Sequence, residues 1–172
     1  MIDIEKCKIT HYPAEVLKTK ALPITDINDN IRKLVEKMTD IMIEEKGVGL
    51  AGPQAGVALQ IFIISLDTTR ESVRVYINPT VTASGPTESI EEGCLSIPGV
   101  HTNIIRYKNC SVTATDLEGN TFSEDAEGLY ARALQHEYDH ICGTTIAERM
   151  SSVGKIAHRR QLKKLQKKYE QD

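Results

Sequence analysis

Apolar residues in this chain follow two rhythms. Across residues 26–47, Ile31, Leu34, Val35, Met38, Ile41 and Met42 recur three or four apart. That spacing lines one face of an α-helix, and Gly47 supplies a stop. LQIFIISL at 59–66 is a continuous apolar run of strand length, and VRVYINP at 73–79 is another, ended by proline. NCSVTATD at 109–116 alternates as a half-buried strand does. DLEGN at 116–120 then reads as a hairpin turn, with TFS starting the returning strand. Helical spacing resumes over 125–142, where Leu129, Ala133, His136 and His140 share a face and Gly143 ends the run. A last helix is expected at 152–169. Between the first helix and the first strand lies a glycine-rich loop, GVGLAGPQAG at 47–56. Together these elements predict one α+β domain over residues 1–172, with strands flanking the helix that carries two histidines.

Composition narrows the class. A chain of 172 residues can bury about two thirds of its unfolded surface. Its 40% hydrophobic and 26% charged residues are those of an ordinary globular protein. No apolar run approaches the roughly 18 residues of a membrane span. MIDIEKCKITHYPAEVL at the N-terminus lacks the apolar core of a signal peptide, so a cytoplasmic location is expected. Four irregularly spaced cysteines, Cys7, Cys94, Cys110 and Cys142, do not read as a disulfide framework and are free thiols by default. Charge is uneven: residues 151–172 hold seven bases and two acids, whereas residues 1–150 hold 14 bases and 22 acids. The protein has an acidic body and a basic tail.

The chemistry enters at HEYDH, 136–140. Two histidines four apart on a helix present both imidazoles on one side, as metal ligands do, and Glu137 next to the first can serve as a general acid/base. A catalytic metal normally takes three protein ligands and leaves a position open. The familiar extension HExxHxxGxxH fails, because position 146 is Ile. Downstream, Glu148 lies too close and Glu170 sits in the final residues of the tail, which disfavours a peptidase with a later glutamate ligand. Upstream, EEGCLSIPG at 91–99 places Cys94 in a context of sharply held loop. A lone cysteine is by default a small buried residue. Cys94 gains weight as a ligand because HExxH has no other convincing third partner. Zinc and iron both suit thiolate with imidazole, and a structural metal module remains an alternative to an enzyme.

Three ordered segments, GVGLAGPQ at 47–54, EGCLS at 92–96 and QHEYDHICG at 135–143, closely resemble the peptide deformylase family of bacterial or organellar type. The resemblance runs from HYPAEVL at 11–17 to the helix beyond Gly143. It implies small, largely antiparallel sheets around a central HExxH helix, with a helix following at the C-terminus. It also implies hydrolysis of the formyl group from N-terminal formylmethionine of newly synthesised proteins, releasing formate. Cys94, His136 and His140 would then hold one divalent metal ion, commonly Fe(II), with zinc, nickel or cobalt able to replace it. Glu137 would move the proton. Gln54 and the backbone N–H of Leu95 would hold the formyl oxygen, where donors stabilise developing negative charge.

On the same basis Gly49 and its neighbouring glycines would let the backbone approach an extended substrate peptide, although an ordinary glycine turn is the competing reading. Val48, Ile90, Leu129 and Ala133 are candidates for a methionine pocket, with plain core positions as the alternative. Glu92 and Arg106 are placed to pair behind Cys94, and Asp139 to orient a ligand histidine, unless these are surface ion pairs. Two departures stand out: Gly52 replaces the family's usual alanine, which is expected to loosen the loop, and His101 stands where some relatives carry arginine. The basic tail reads as a solvated helix face or, by resemblance, as a ribosome-docking helix. Specific DNA binding and membrane association are not expected.

Overall fold

In the computed structural model, which describes residues 2–171, the chain forms five strands and four α-helices. In chain order these are α1 (Asp29–Glu44), β1 (Gly49–Ala51), β2 (Ile61–Ile64), β3 (Arg74–Gly93), β4 (His101–Thr115), β5 (Thr121–Glu127), α2 (Gly128–Ile141), α3 (Ile146–Arg149) and α4 (Ser152–Tyr169). The strands lie in sequence order, each antiparallel to the next. The small sheets expected are joined into one, because β3 pairs with β2 at its start and with β4 along most of its length.

α1 forms where the periodicity placed it. Asn28 caps its start by accepting from the Asn30 and Ile31 N–H groups, which trims the expected helix by three residues. All six periodic apolar residues are buried. They pack on Leu50, Ile61, Ile63 and Ile77. β2 is apolar throughout because both its faces are covered: Ile61 and Ile63 meet α1, while Phe62 and Ile64 face α2. The result is a sheet between two helices.

Much of β3 and β4 carries no apolar alternation. Their far portion is little covered, and both faces of residues 82–89 are mostly exposed. Register shifts occur between Ile77 and Thr80 and between Ser84 and Thr87, the second at Gly85 with φ of 78°. The α2 helix begins three residues later than its pattern indicates. Asp125, Ala126 and Glu127 still pair with β4, and Gly128 at φ 59° turns strand directly into helix. A third apolar cluster joins Ile97, Val100 and Ile104 to Ile146 and Met150. It supports the loop between β3 and β4, which carries Cys94.

Candidate metal centre and active site

α2 delivers both histidines. His140 is fully buried and His136 half-buried, with their Nε2 atoms 3.2 Å apart. Cys94 follows the last residue of β3 in a turn closed by the Ile97 N–H donating to its carbonyl at 2.9 Å. Its Sγ lies 3.4 Å from His140 Nε2, and all three donor atoms fall within 4.8 Å of one another. Zinc-type bonds of about 2.05 Å to nitrogen and about 2.3 Å to sulfur put tetrahedral ligands about 3.3 and 3.6 Å apart. The observed separations fit a metal ion among these three atoms. Burial pushes the His140 pKa well below the ordinary imidazole value, which keeps the ring neutral as ligation requires. Burial also opposes charge on His136, yet contacts with Cys94 and Glu92 outweigh it and hold its pKa well above the ordinary value.

Glu137 points toward the same place from the next position on α2. It is buried, and its Oε2 has no hydrogen-bond partner among the described residues. Burial raises its carboxyl pKa to about 7, the range useful for moving a proton near neutral pH. Gly49 makes room for it: a Cβ there would stand 2.8 Å from Glu137 Cδ and 2.9 Å from Cγ. Gln54 is fixed by the turn after β1, where its Oε1 accepts the Ala51 N–H at 2.8 Å. Its Nε2 therefore faces Cys94 Sγ at 3.5 Å as a donor. The Leu95 side chain packs against Gly47 and the α1 cluster, anchoring the backbone beside Cys94.

A cavity of about 560 Å³ opens over these groups. Cys94, Leu95, Gln54, His136, Glu137 and Gly49 all line it, while His140 lies beneath. Val48, Ile90, Leu129 and Ala133 form part of its wall. Ala133 belongs also to the core, but Val48, Ile90 and Leu129 are exposed. The structure thus brings together every residue singled out for metal, proton transfer, oxyanion and side-chain binding. His101 stands at the cavity rim, against Gly93.

Glu92 and Arg106 pair as expected, at 2.7 Å and in the interior, which rules out the surface ion-pair alternative. Two sequence readings change. Asp139 contacts Arg106 and Arg149; the partner of His136 is Glu92, whose Oε2 lies 3.0 Å from its Nδ1. Burial works against the charge on Glu92, but His136 and Arg106 hold its carboxyl down at about 2. Gly52 does not loosen its loop, since a Cβ there would meet the Leu59 and Val57 carbonyls at 2.8 and 2.9 Å. Arg132, buried beside Glu92, was not legible as part of the site. Its one signal was spacing, a basic residue one turn before His136 on the predicted inward face.

Comparison with known proteins agrees with this geometry. A sequence model of the family described as polypeptide deformylase matches residues 6–155. Peptide deformylase 1 of Clostridium perfringens is 46% identical over 129 residues, covering 75% of this chain and 87% of that protein. Peptide deformylase of Neisseria meningitidis is 37% identical over 159 residues, 92% of this chain and 95% of that one. A crystal structure of peptide deformylase from Plasmodium falciparum matches with a TM-score of 0.91 at 33% identity, covering 95% of this chain and 97% of the other. With so much of each chain shared, this chain belongs to the polypeptide deformylase family, metal-dependent enzymes that remove N-formyl groups from nascent peptides.

Proposed function

We propose that deformylation in this chain runs at the Cys94–His136–His140 triad, with Glu137 carrying the proton and Gln54 and the Leu95 N–H receiving the oxyanion. The observation that carries this reading is the spacing of the three donor atoms, all within 4.8 Å at the foot of one cavity. A divalent ion held there would act as a Lewis acid, bringing a water within reach of deprotonation near neutral pH. Glu137 accepts a water proton as the oxygen adds to the formyl carbon. The Gln54 amide and the Leu95 N–H donate to the carbonyl oxygen as it gains charge. When the C–N bond breaks, Glu137 returns the proton to the departing nitrogen, leaving formate and a free N-terminus. Val48, Ile90, Leu129 and Ala133 receive the methionine side chain, and the backbone around Gly49 takes the peptide in extended form.

Fe(II) is the physiological metal in this reading, with zinc, nickel and cobalt as replacements; a Cys/His/His set suits all of them. Residues 1–172 act as one unit located in the cytoplasm. No helix among the described residues is long and apolar enough to cross a membrane. The basic helix α4 docks the enzyme on ribosomes, close to its N-formylmethionyl substrates. Its support is a surface with seven Lys and Arg and no buried residue. Replacement of Glu137 by glutamine tests the chemistry. Glu137→Gln should bind metal as the parent does and lose about 10²–10⁴-fold in turnover; near-normal turnover would remove Glu137 from its role.

A further inference from the structure

Behind His136 lies a charge cluster that ligation alone does not explain. Arg132 sits one turn before His136 on α2 and is 5% exposed. Its Nη1 donates to Glu92 Oε1 at 2.6 Å and to the Ile104 carbonyl at 3.1 Å. Its Nη2 donates to the Glu88 carbonyl at 3.2 Å. Arg106 Nε shares the same Glu92 Oε1 at 2.7 Å, and its Nη2 reaches Oε2 at 3.0 Å. Glu92 Oε2 also faces His136 Nδ1 at 3.0 Å. An ionised carboxylate only accepts, so Nδ1 carries a proton, which would leave Nε2 as the nitrogen that ligates a metal beside Cys94 and His140.

We propose that Arg132 is a positioning residue for the metal centre: it clamps Glu92 Oε1, so that Oε2 is the oxygen that meets His136 and the imidazole is held in its ligating orientation. The proposal rests on the reading of Cys94, His136 and His140 as metal ligands. Arg106 cannot perform this task alone. Its guanidinium bridges two carboxylates, Glu92 and Asp139, and among the described residues its hydrogen bonds go to carboxylates and to no backbone carbonyl. Arg132 is tied to two backbone carbonyls, one on β3 and one on β4, and so refers the carboxylate to the frame of the sheet. A planar fork with several donors can hold a carboxylate and two carbonyls together; a lysine ammonium offers a single charged point. Arg132 also lines the cavity, so a fair substitution keeps its length.

The test loads the full chain with Co(II) and follows its release into excess chelator, together with the thiolate-to-cobalt charge-transfer band and the ligand-field bands. Arg132→Met should release Co(II) about 10–100-fold faster than the parent, with shifted ligand-field bands and the thiolate band retained. Arg132→Lys should fall between the two. Met38→Ala, buried in the other cluster on α1, supplies a protein of lowered Tm whose release rate should stay at the parental value. Release from Arg132→Met no faster than from Met38→Ala would overturn the proposal. If the methionine variant does not fold, parental release and spectra in Arg132→Lys would do the same. A parent that binds Co(II) without a thiolate band would overturn the ligand assignment itself, and this proposal with it.

Discussion

Gly49 and Glu137 show how closely backbone and chemistry are fitted here. The glycine was singled out for its approach to substrate, yet its nearest obligation is to the carboxylate it faces. A methyl group at 49 would press on Glu137 Cδ and Cγ, at 2.8 and 2.9 Å. Gly49 has no positive φ, so alanine costs little in backbone strain and acts through that contact. Gly49→Ala should therefore keep its metal but lose at least about tenfold in kcat, since small misplacements of a catalytic group cost that much or more. Single-turnover kinetics on the metal-loaded variant will show it; unchanged kcat would mean that the carboxylate has other room. At this scale the sequence was readable where chemistry dictates a spacing. HEYDH announced two candidate ligands, and Cys94 followed as the candidate third because no other residue completed the set; the three donor atoms do lie within 4.8 Å of one another. Arg132 was hidden because a basic residue on a helix ordinarily faces water, and only the buried Glu92 beside it reverses that preference. Asp139 was misread because nearness in sequence stood in for direction: its carboxylate meets Arg106 and Arg149 rather than an imidazole.

Elements with a covered face were legible, and those without one were not. α1 and β2 bury their apolar residues against each other, so burial wrote itself into their spacing. The far part of the β3–β4 hairpin is held by strand pairing with little to cover either face, and its polar residues carry no comparable signal. The start of α2 was obscured in another way, because the last strand runs into it without a loop. That junction is fastened by side chains. Tyr130 on the first turn of α2 donates to Glu124 Oε1 on β5 at 2.6 Å, and Tyr76 on β3 donates to the same oxygen at 2.8 Å. Arg74 completes the group by pairing with Glu124 Oε2 at 2.7 Å. Tyr130→Phe leaves Glu124 paired through Tyr76 and Arg74, so it should lower unfolding free energy by about 0.5–1.5 kcal/mol. Urea denaturation measures this directly, and a change beyond about 3 kcal/mol would mean that the hydroxyl holds α2 in place.

Across the whole molecule, charge divides what the fold divides. The acidic body carries the cavity, while the basic residues of the tail lie on α4, none of whose residues is buried. Gln161 donates to the Pro98 carbonyl at 3.1 Å, and Leu162 and Leu165 rest against the third cluster. Such a helix leaves most of its surface open, and a polyanionic partner would release counterions on binding it. Ribosome association in sedimentation should weaken steeply with added salt and be lost on deletion of residues 152–172; unchanged binding by the truncated chain would place the contact elsewhere. The central claim is simpler, and formate release tests it most directly. Anaerobically purified protein of known metal content should release formate from formyl-Met-Ala, leave acetyl-Met-Ala intact, lose activity to a chelator and regain it with Fe(II). A protein carrying one metal ion per chain that yields no formate from the formylated peptide would contradict it.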